Sequence, residues 1–275
     1  MDIRQQVEKE TAQVPSNCEQ ILDAIPNEAG KAACSKHGEF EFKYVTLFGG
    51  KVLCSSCCQK CVAERNLFID EEVKRREDEK RELFMQNKVM NSGVSKRNVT
   101  KTFSTFIAQT KEQSKAKDSF MKFANSVCKG EIASNLIVCG SVGVGKTHLA
   151  SSCVDQIIRS GKSCEVIKII DLIRDFKRTW SKDCDQSEQN FLKYYTNLPA
   201  LIIDEVGVQF GSDTEKMVVF DIIDGRYNNM LPTVLISNLA LPDVQELIGD
   251  RAIDRLREDG GIVVAMKWDS YRGKL

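Results

Sequence analysis

The sequence predicts an α/β protein, a parallel five-stranded sheet sandwiched by helices, preceded by a small cysteine-bearing module and a helical linker. Three observations predict it. Short, nearly all-apolar runs alternate with helix-length segments from about Asn98 onward. A glycine-rich loop joins the first of those runs to the helix after it. Five cysteines gather between residues 34 and 61, ahead of a long charged stretch.

In chain order, residues 1–30 form a polar leader of weak helical character, and its start, MDIRQQVEKE, is too polar and mixed in charge for a signal peptide. Residues 31–61 combine Gly, Cys and β-favouring pieces such as EFKYVTLF. From Val62 to about Met90 a helix is expected, its middle, DEEVKRREDEKRE, alternating in sign as a solvated connecting helix does. NSGVSKRN breaks that pattern and marks a linker, which puts the domain boundaries at 1–92 and 93–275. Candidate strands are NLIVC (135–139), CEVIKI (164–169), ALIID (200–204), TVLIS (233–237) and GIVVAM (261–266). Helices are expected at roughly 146–160, 171–180 and 213–229. Apolar strands alternating with helices imply parallel pairing with both faces covered.

The 275 residues suffice for one large or two modest domains, and 39 basic residues balance 39 acidic ones. That balance argues against a general nucleic-acid coat protein and leaves room for a local basic groove. No apolar run is long enough to cross a bilayer, so a soluble, cytoplasmic protein without membrane contact is expected. Eleven cysteines without a secretory signal read as thiols, not as a disulfide framework. Cys128, Cys139, Cys153, Cys164 and Cys184 lie among apolar residues and read as small core hydrophobes, whereas Cys18 receives no role.

GSVGVGKT, Gly140 to Thr147, matches the phosphate-loop pattern without departure, with a strand before it and a helix after it. The backbone of Gly140, Ser141, Val142, Gly143, Val144 and Gly145 would wrap an anion, with His148 just beyond the loop. Lys146 would reach the β- and γ-phosphates, and Thr147 would offer its hydroxyl to Mg²⁺. A chance glycine-rich turn is the bland alternative, and the flanking strand and helix argue against it. LIIDE ends an apolar strand in two carboxylates: Asp204 would complete the Mg²⁺ shell and Glu205 would polarise a water for attack on the γ-phosphate. Asn238, at the tip of TVLISN, would face the same ligand, because such sheets bind at their carboxyl ends. In GDRAIDRLRE, Gly249 can end one helix and Asp250 cap the next. Arg251 and Arg255 then repel across one turn, offset by pairs such as Arg255 with Glu258.

The ordered series of phosphate loop, DE strand, Asn-tipped strand and Arg-bearing helix resembles the AAA+ ATPases and, more closely, the DnaC-type replicative helicase loaders. The resemblance runs from about Asn98 to the C-terminus on GSVGVGKTHLA, LIIDEVGVQ, Arg226–Tyr227, PTVLISN, GDRAIDRL and WDSYR. It implies ATP-dependent assembly on a DnaB-like hexameric helicase, contact with single-stranded DNA and self-association through shared ATP sites. It further implies Arg255 as the finger that completes a neighbour's site, Arg251 beside it, and Arg272 as a nucleotide-sensing arginine. Residues 239–275 are too few for the usual multi-helix lid, so an abbreviated lid is expected.

Cys34-x-x-His37 followed by Cys54-x-x-Cys57 offers four soft ligands in two close pairs, a spacing suited to structural Zn²⁺. Cys58-x-x-Cys61 is a competing second pair, and reduced thiols beside a structural His37 are the bland reading. Phage-borne DnaC-like proteins resemble this region; their spacing to His favours Cys54 and Cys57, while the following V-A-E-R favours Cys61, and the choice stays open. Its N-terminal place implies a helicase-docking module. An ATPase resembling IstB, which regulates a DNA transposase, is the alternative. No aromatic–basic array stands out for DNA contact.

Overall fold

The computed structural model describes residues 3–6, 31–41, 44–46, 52–54, 58–181, 186–207 and 212–271. Two compact units divide the chain, Met1–Leu83 and Phe84–Leu275, where the sequence places the boundary at 92/93. The first contains two antiparallel hairpins, β1 (Lys31–Cys34) with β2 (Gly38–Glu41) and β3 (Tyr44–Thr46) with β4 (Val52–Cys54). Helix α1 (Gln59–Asn91) begins there. Its charged middle carries the spaced ion pairs expected of it, with Glu72 taking both Arg75 and Arg76. These two arginines pull the Glu72 carboxyl down to about 2, Arg75 more strongly.

In the second unit the elements run α2 (Lys111–Lys129), β5 (Leu136–Gly140), α3 (Lys146–Arg159), β6 (Cys164–Lys168) and α4 (Ile169–Arg178). Then come α5 (Glu188–Asn197), β7 (Ala200–Val206), α6 (Asp213–Asn228), β8 (Thr233–Ser237), α7 (Leu241–Ile248), α8 (Asp250–Arg257) and β9 (Ile262–Met266). The five strands pair in parallel in the order β6-β7-β8-β5-β9. Alternation along each central strand explains the sandwich. Leu136, Val138, Ile202, Val234 and Ile236 pack under α2 and α3, with Phe120, Phe123, Leu149 and Cys153. Ile137, Leu201, Ile203 and Leu235 face the other way, under α4 to α8, with Phe176, Phe191, Ile222 and Leu256. Side chains that alternate between two buried faces leave no polar positions, which is why these runs read as continuously apolar. Cys139, Cys153 and Cys164 are buried, and Cys128 packs partly buried against the core that holds Cys153 and Cys164; Cys184 lies outside the described residues.

The helices α2 and α5 are additions to those that the sequence predicts. The first starts with a reciprocal cap: Gln113 N–H donates to Thr110 Oγ1, and the Gln113 side-chain oxygen accepts from Thr110 N–H. The expected linker NSGVSKRN is packed, not free. Val166 N–H of the edge strand β6 donates to Ser92 O at 2.9 Å. Gly93, at φ 89°, lies so near that a Cβ would meet Val166 O at 1.9 Å. Covering an edge strand in this way removes a template for unwanted pairing.

After β8 the described residues form α7 and α8 and return to the sheet as β9. One local expectation is corrected. Gly249, at φ 90° and ψ 152°, ends α7 and is also the residue that precedes α8, so Asp250 is inside the helix and not its cap. A single residue separates the two helices, so no position is left for a side-chain cap; the Asp250 carboxylate accepts from Gln245 Nε2 at 2.8 Å instead.

Candidate nucleotide site and Cys–His cluster

The parallel register brings the carboxyl ends of β5, β7 and β8 together, and there the phosphate-loop residues sit. Gly140 must lack a side chain, because a Cβ would lie 2.5 Å from Met266 O on the paired strand. Gly143 at φ 85° and Gly145 at φ 99° take left-handed turns that other residues rarely adopt. The turn ends at the N-terminus of α3, whose free N–H groups favour an anion.

Lys146 is 7% exposed and donates to three oxygens: Gly140 O at 2.8 Å, Ser141 O at 2.8 Å and Asn238 Oδ1 at 2.7 Å. The expected ammonium and the expected strand-tip amide therefore meet. Thr147 Oγ1 donates to Asp204 Oδ2 at 3.4 Å, and Glu205 N–H to Asp204 Oδ1 at 2.7 Å. Asp204 is 7% exposed, and burial pushes its carboxyl above the ordinary value, with the nearby Lys146 ammonium working the other way. A hydroxyl and a buried carboxylate side by side are hard oxygen donors, a set that fits Mg²⁺. Glu205 is exposed, with φ 58°, and its Oε1 accepts from Lys168 Nζ at 3.0 Å. Sequence reading missed Lys168. No spacing along the chain pairs it with Glu205; the register of β6 against β7, which sets Lys168 opposite Asp204, does so. The ion pair raises the lysine's pKa.

His148 is turned away from the loop. Its Nε2 lies 3.0 Å from Thr105 Oγ1 and 3.1 Å from Thr102 O, and its ring meets Phe106 edge-on. Burial lowers its pKa. Val142 is exposed at the tip of the loop. Arg255 is not a free cation. Its Nε donates to Asp224 Oδ1 at 2.9 Å, a second nitrogen reaches Glu258 at 3.3 Å, and the guanidinium lies 4.4 Å from the Tyr227 ring. The expected Arg255–Glu258 pair thus forms, with Asp224 as a stronger partner from another helix. Arg251 stacks over Phe220 at 4.5 Å. Arg272 lies outside the described residues. Arg226 is wholly buried and ties the amino ends of β7 and β8 to α5 by bonds to Tyr195 O, Leu198 O, Pro232 O and Thr233 Oγ1.

In the N-terminal unit, Cys34 ends β1, His37 closes the turn after it, and Cys58 and Cys61 sit at the start of α1. Their ligand atoms all lie within 4.8 Å of one another. Cys34 Sγ is 3.5 Å from Cys61 Sγ; His37 Nδ1 is 3.2 Å from Cys61 Sγ and 3.7 Å from Cys58 Sγ. Zn–S bonds of ~2.3 Å in a tetrahedron put ligand atoms about 3.8 Å apart. The cluster could therefore hold zinc with little movement. Of the two competing pairs, the structure gathers Cys58 and Cys61; Cys57 and the side chain of Cys54 lie outside the described residues. The Lys36 backbone N–H draws the Cys34 thiol down to about 6, while sharing a hydrogen bond with Cys34 pushes Cys61 up. His37 Nε2 is held by Glu64 at 3.0 Å, leaving Nδ1 toward the thiols. Such an outer carboxylate orients a ligating imidazole.

A five-stranded parallel sheet with a phosphate loop, an acidic strand end and an Asn-tipped strand at one edge defines the AAA+ class of ATP-binding fold. Residues 62–275 match the family described as IstB-like ATP binding protein. The replicative helicase loader DnaC of Escherichia coli (strain K12) is 31% identical over 199 residues, 72% of this chain and 80% of that protein. The crystal structure of the DnaC helicase loader superposes with a TM-score of 0.54 at 26% identity, covering 62% of this chain and 99% of that one. DnaI shares the fold at a TM-score of 0.53 and 20% identity, over 65% of this chain and 94% of its own. The chain belongs to the IstB/DnaC family of ATP-binding proteins. Among the described residues no helix is long and apolar enough to cross a membrane.

Proposed function

We propose that this protein is an ATP-dependent loader that places a DnaB-like hexameric helicase on single-stranded DNA during replication. The observation that carries the reading is the meeting of Lys146, Asn238, Thr147 and Asp204 at one sheet edge, in a chain spanning 80% of the DnaC loader. Lys146 binds the terminal phosphates, and its bond to Asn238 supports a role in which each side chain senses the other's ligand. Thr147 and Asp204 would hold Mg²⁺, which when bound offsets the phosphate charge. Glu205, once released by Lys168, orients the attacking water as base. Arg255 is supplied to a neighbouring protomer's site, with Arg251 beside it and Arg272 on the same nucleotide, so turnover depends on assembly. The Cys34–His37–Cys58–Cys61 cluster holds zinc as a cross-link that organises a helicase-docking module too small to build its own core.

Regulation of a transposase is the second reading, favoured by the IstB description of the matched family. The Cys–His module and the DnaC relatives weigh for the loader. Co-purification with ring helicases, with and without ATP, tests it, followed by helicase transfer onto circular single strands. ATP-dependent capture and transfer is expected. Binding to duplex DNA in preference to single strands, with no helicase captured, would favour the transposase role.

A further inference from the structure

The C-terminal segment after β9 touches the phosphate loop from behind. Strand β9 pairs with β5 as far as Gly140 opposite Met266, so the chain leaving β9 runs beside the chain leaving β5. Two donors then reach the loop. Trp268 Nε1 donates to Val144 O at 3.0 Å, and Tyr271 N–H donates to Gly143 O at 3.0 Å. The Phe106 ring closes the same side: a Cβ on Gly145 would lie 2.8 Å from it, and it meets Tyr271 edge-on at 6.3 Å.

We propose that Trp268 and the Tyr271 backbone are positioning groups for phosphate binding, a strap that aims the amides of Val144 and Gly145 at the anion. A trans peptide is planar, so the carbonyl of one residue and the N–H of the next point in opposite directions. Pinning Gly143 C=O toward Tyr271 directs Val144 N–H the other way. Pinning Val144 C=O toward Trp268 does the same for Gly145 N–H, the last amide before the helix. Glycine-rich backbone at φ 85° and 99° has little intrinsic preference, so these peptide planes need an outside constraint to be preorganised. The Tyr271 hydroxyl is buried with no partner among the described residues, so the backbone N–H and the ring are what this residue contributes.

The inference rests on the nucleotide-binding reading, and its test separates the two. Trp268→Phe keeps an aromatic ring and removes the donor. ATP and ADP affinity of the full chain should fall about three- to tenfold, the worth of one hydrogen bond, while adenosine affinity changes less than about twofold. Tyr271→Phe, which keeps the backbone donor, should bind all three as wild type does. In the ligand-free protein, Trp268→Phe should shift the Val144 and Gly145 amide resonances. Equal affinity loss for adenosine and ATP, or unmoved loop amides beside a lowered melting temperature, would overturn the strap and leave Trp268 a packing residue. If wild type binds no ATP, the nucleotide reading falls, and the amide resonances alone decide the strap.

Discussion

Replacing Arg226 by Met tests how a wholly buried cation supports the sheet. Its guanidinium donates four bonds, to Thr233 Oγ1 at 2.9 Å, Tyr195 O at 2.6 Å, Leu198 O at 2.8 Å and Pro232 O at 2.6 Å. Burial lowers its pKa to about 10, so the charge is held at a desolvation cost. Met keeps much of the stem and abandons four acceptors. Summing them naively at ~1–3 kcal/mol each overshoots, because loss of the desolvated charge offsets part. A net loss of about 3–5 kcal/mol follows from broken buried polar networks. In a unit of this size each kcal/mol moves Tm by about 2–4 °C, so a fall of roughly 6–20 °C is expected. Because the bonds lie at the amino ends of β7 and β8, opposite the phosphate loop, the folded variant should keep its ATP affinity. Thermal unfolding followed by circular dichroism, with titration of a fluorescent ATP analogue below the transition, reads both. A Tm within about 2 °C of wild type, or lost ATP affinity at unchanged Tm, would refute the reasoning.

Lys168→Ala frees Glu205. An ion pair whose partners are 54% and 51% exposed is worth at most about 1 kcal/mol, so steady-state ATP turnover at saturation should rise by no more than about fivefold. Asp204→Asn should abolish Mg²⁺–ATP binding yet raise Tm at neutral pH. Burial raises this carboxyl's folded pKa, so the native state holds its proton more tightly and the ionised form costs stability above that pKa. Arg255→Ala should leave ATP binding near normal while assembly-stimulated hydrolysis falls, by as much as ~10³-fold; matching affinity loss in dilute monomer would contradict a role in trans. Metal analysis of the full chain should find about one zinc, lost in Cys58→Ala or Cys61→Ala and kept in Cys54→Ala; the reverse pattern would restore the other pair.

The five strands of the parallel sheet were legible to within two residues at each end, since a run such as ALIID can be apolar throughout only where both faces are covered. The phosphate loop and its acidic and amide partners were legible for a related reason: Lys146, Asp204 and Asn238 each lie in or just beyond the carboxyl end of a strand, and parallel strands deliver those ends to one edge. The cap of α2 was legible too, as Thr110 three residues before Gln113, ahead of apolar residues at helical spacing (Ala116, Phe120, Phe123, Val127). Lys168 was not, because only register places it beside Glu205.

What the chain determines locally is therefore the set of elements and the chemistry at their tips, both fixed by neighbours a few residues apart. Where His37 meets Cys61, which carboxylates hold Arg255, and what backs the phosphate loop were decided by the tertiary fold. Those partners stand far apart along the chain: 24 residues between His37 and Cys61, 31 between Asp224 and Arg255, and 124 between Val144 and Trp268. Spacing rules act along a helix or strand, and contacts across such distances depend on how whole elements pack.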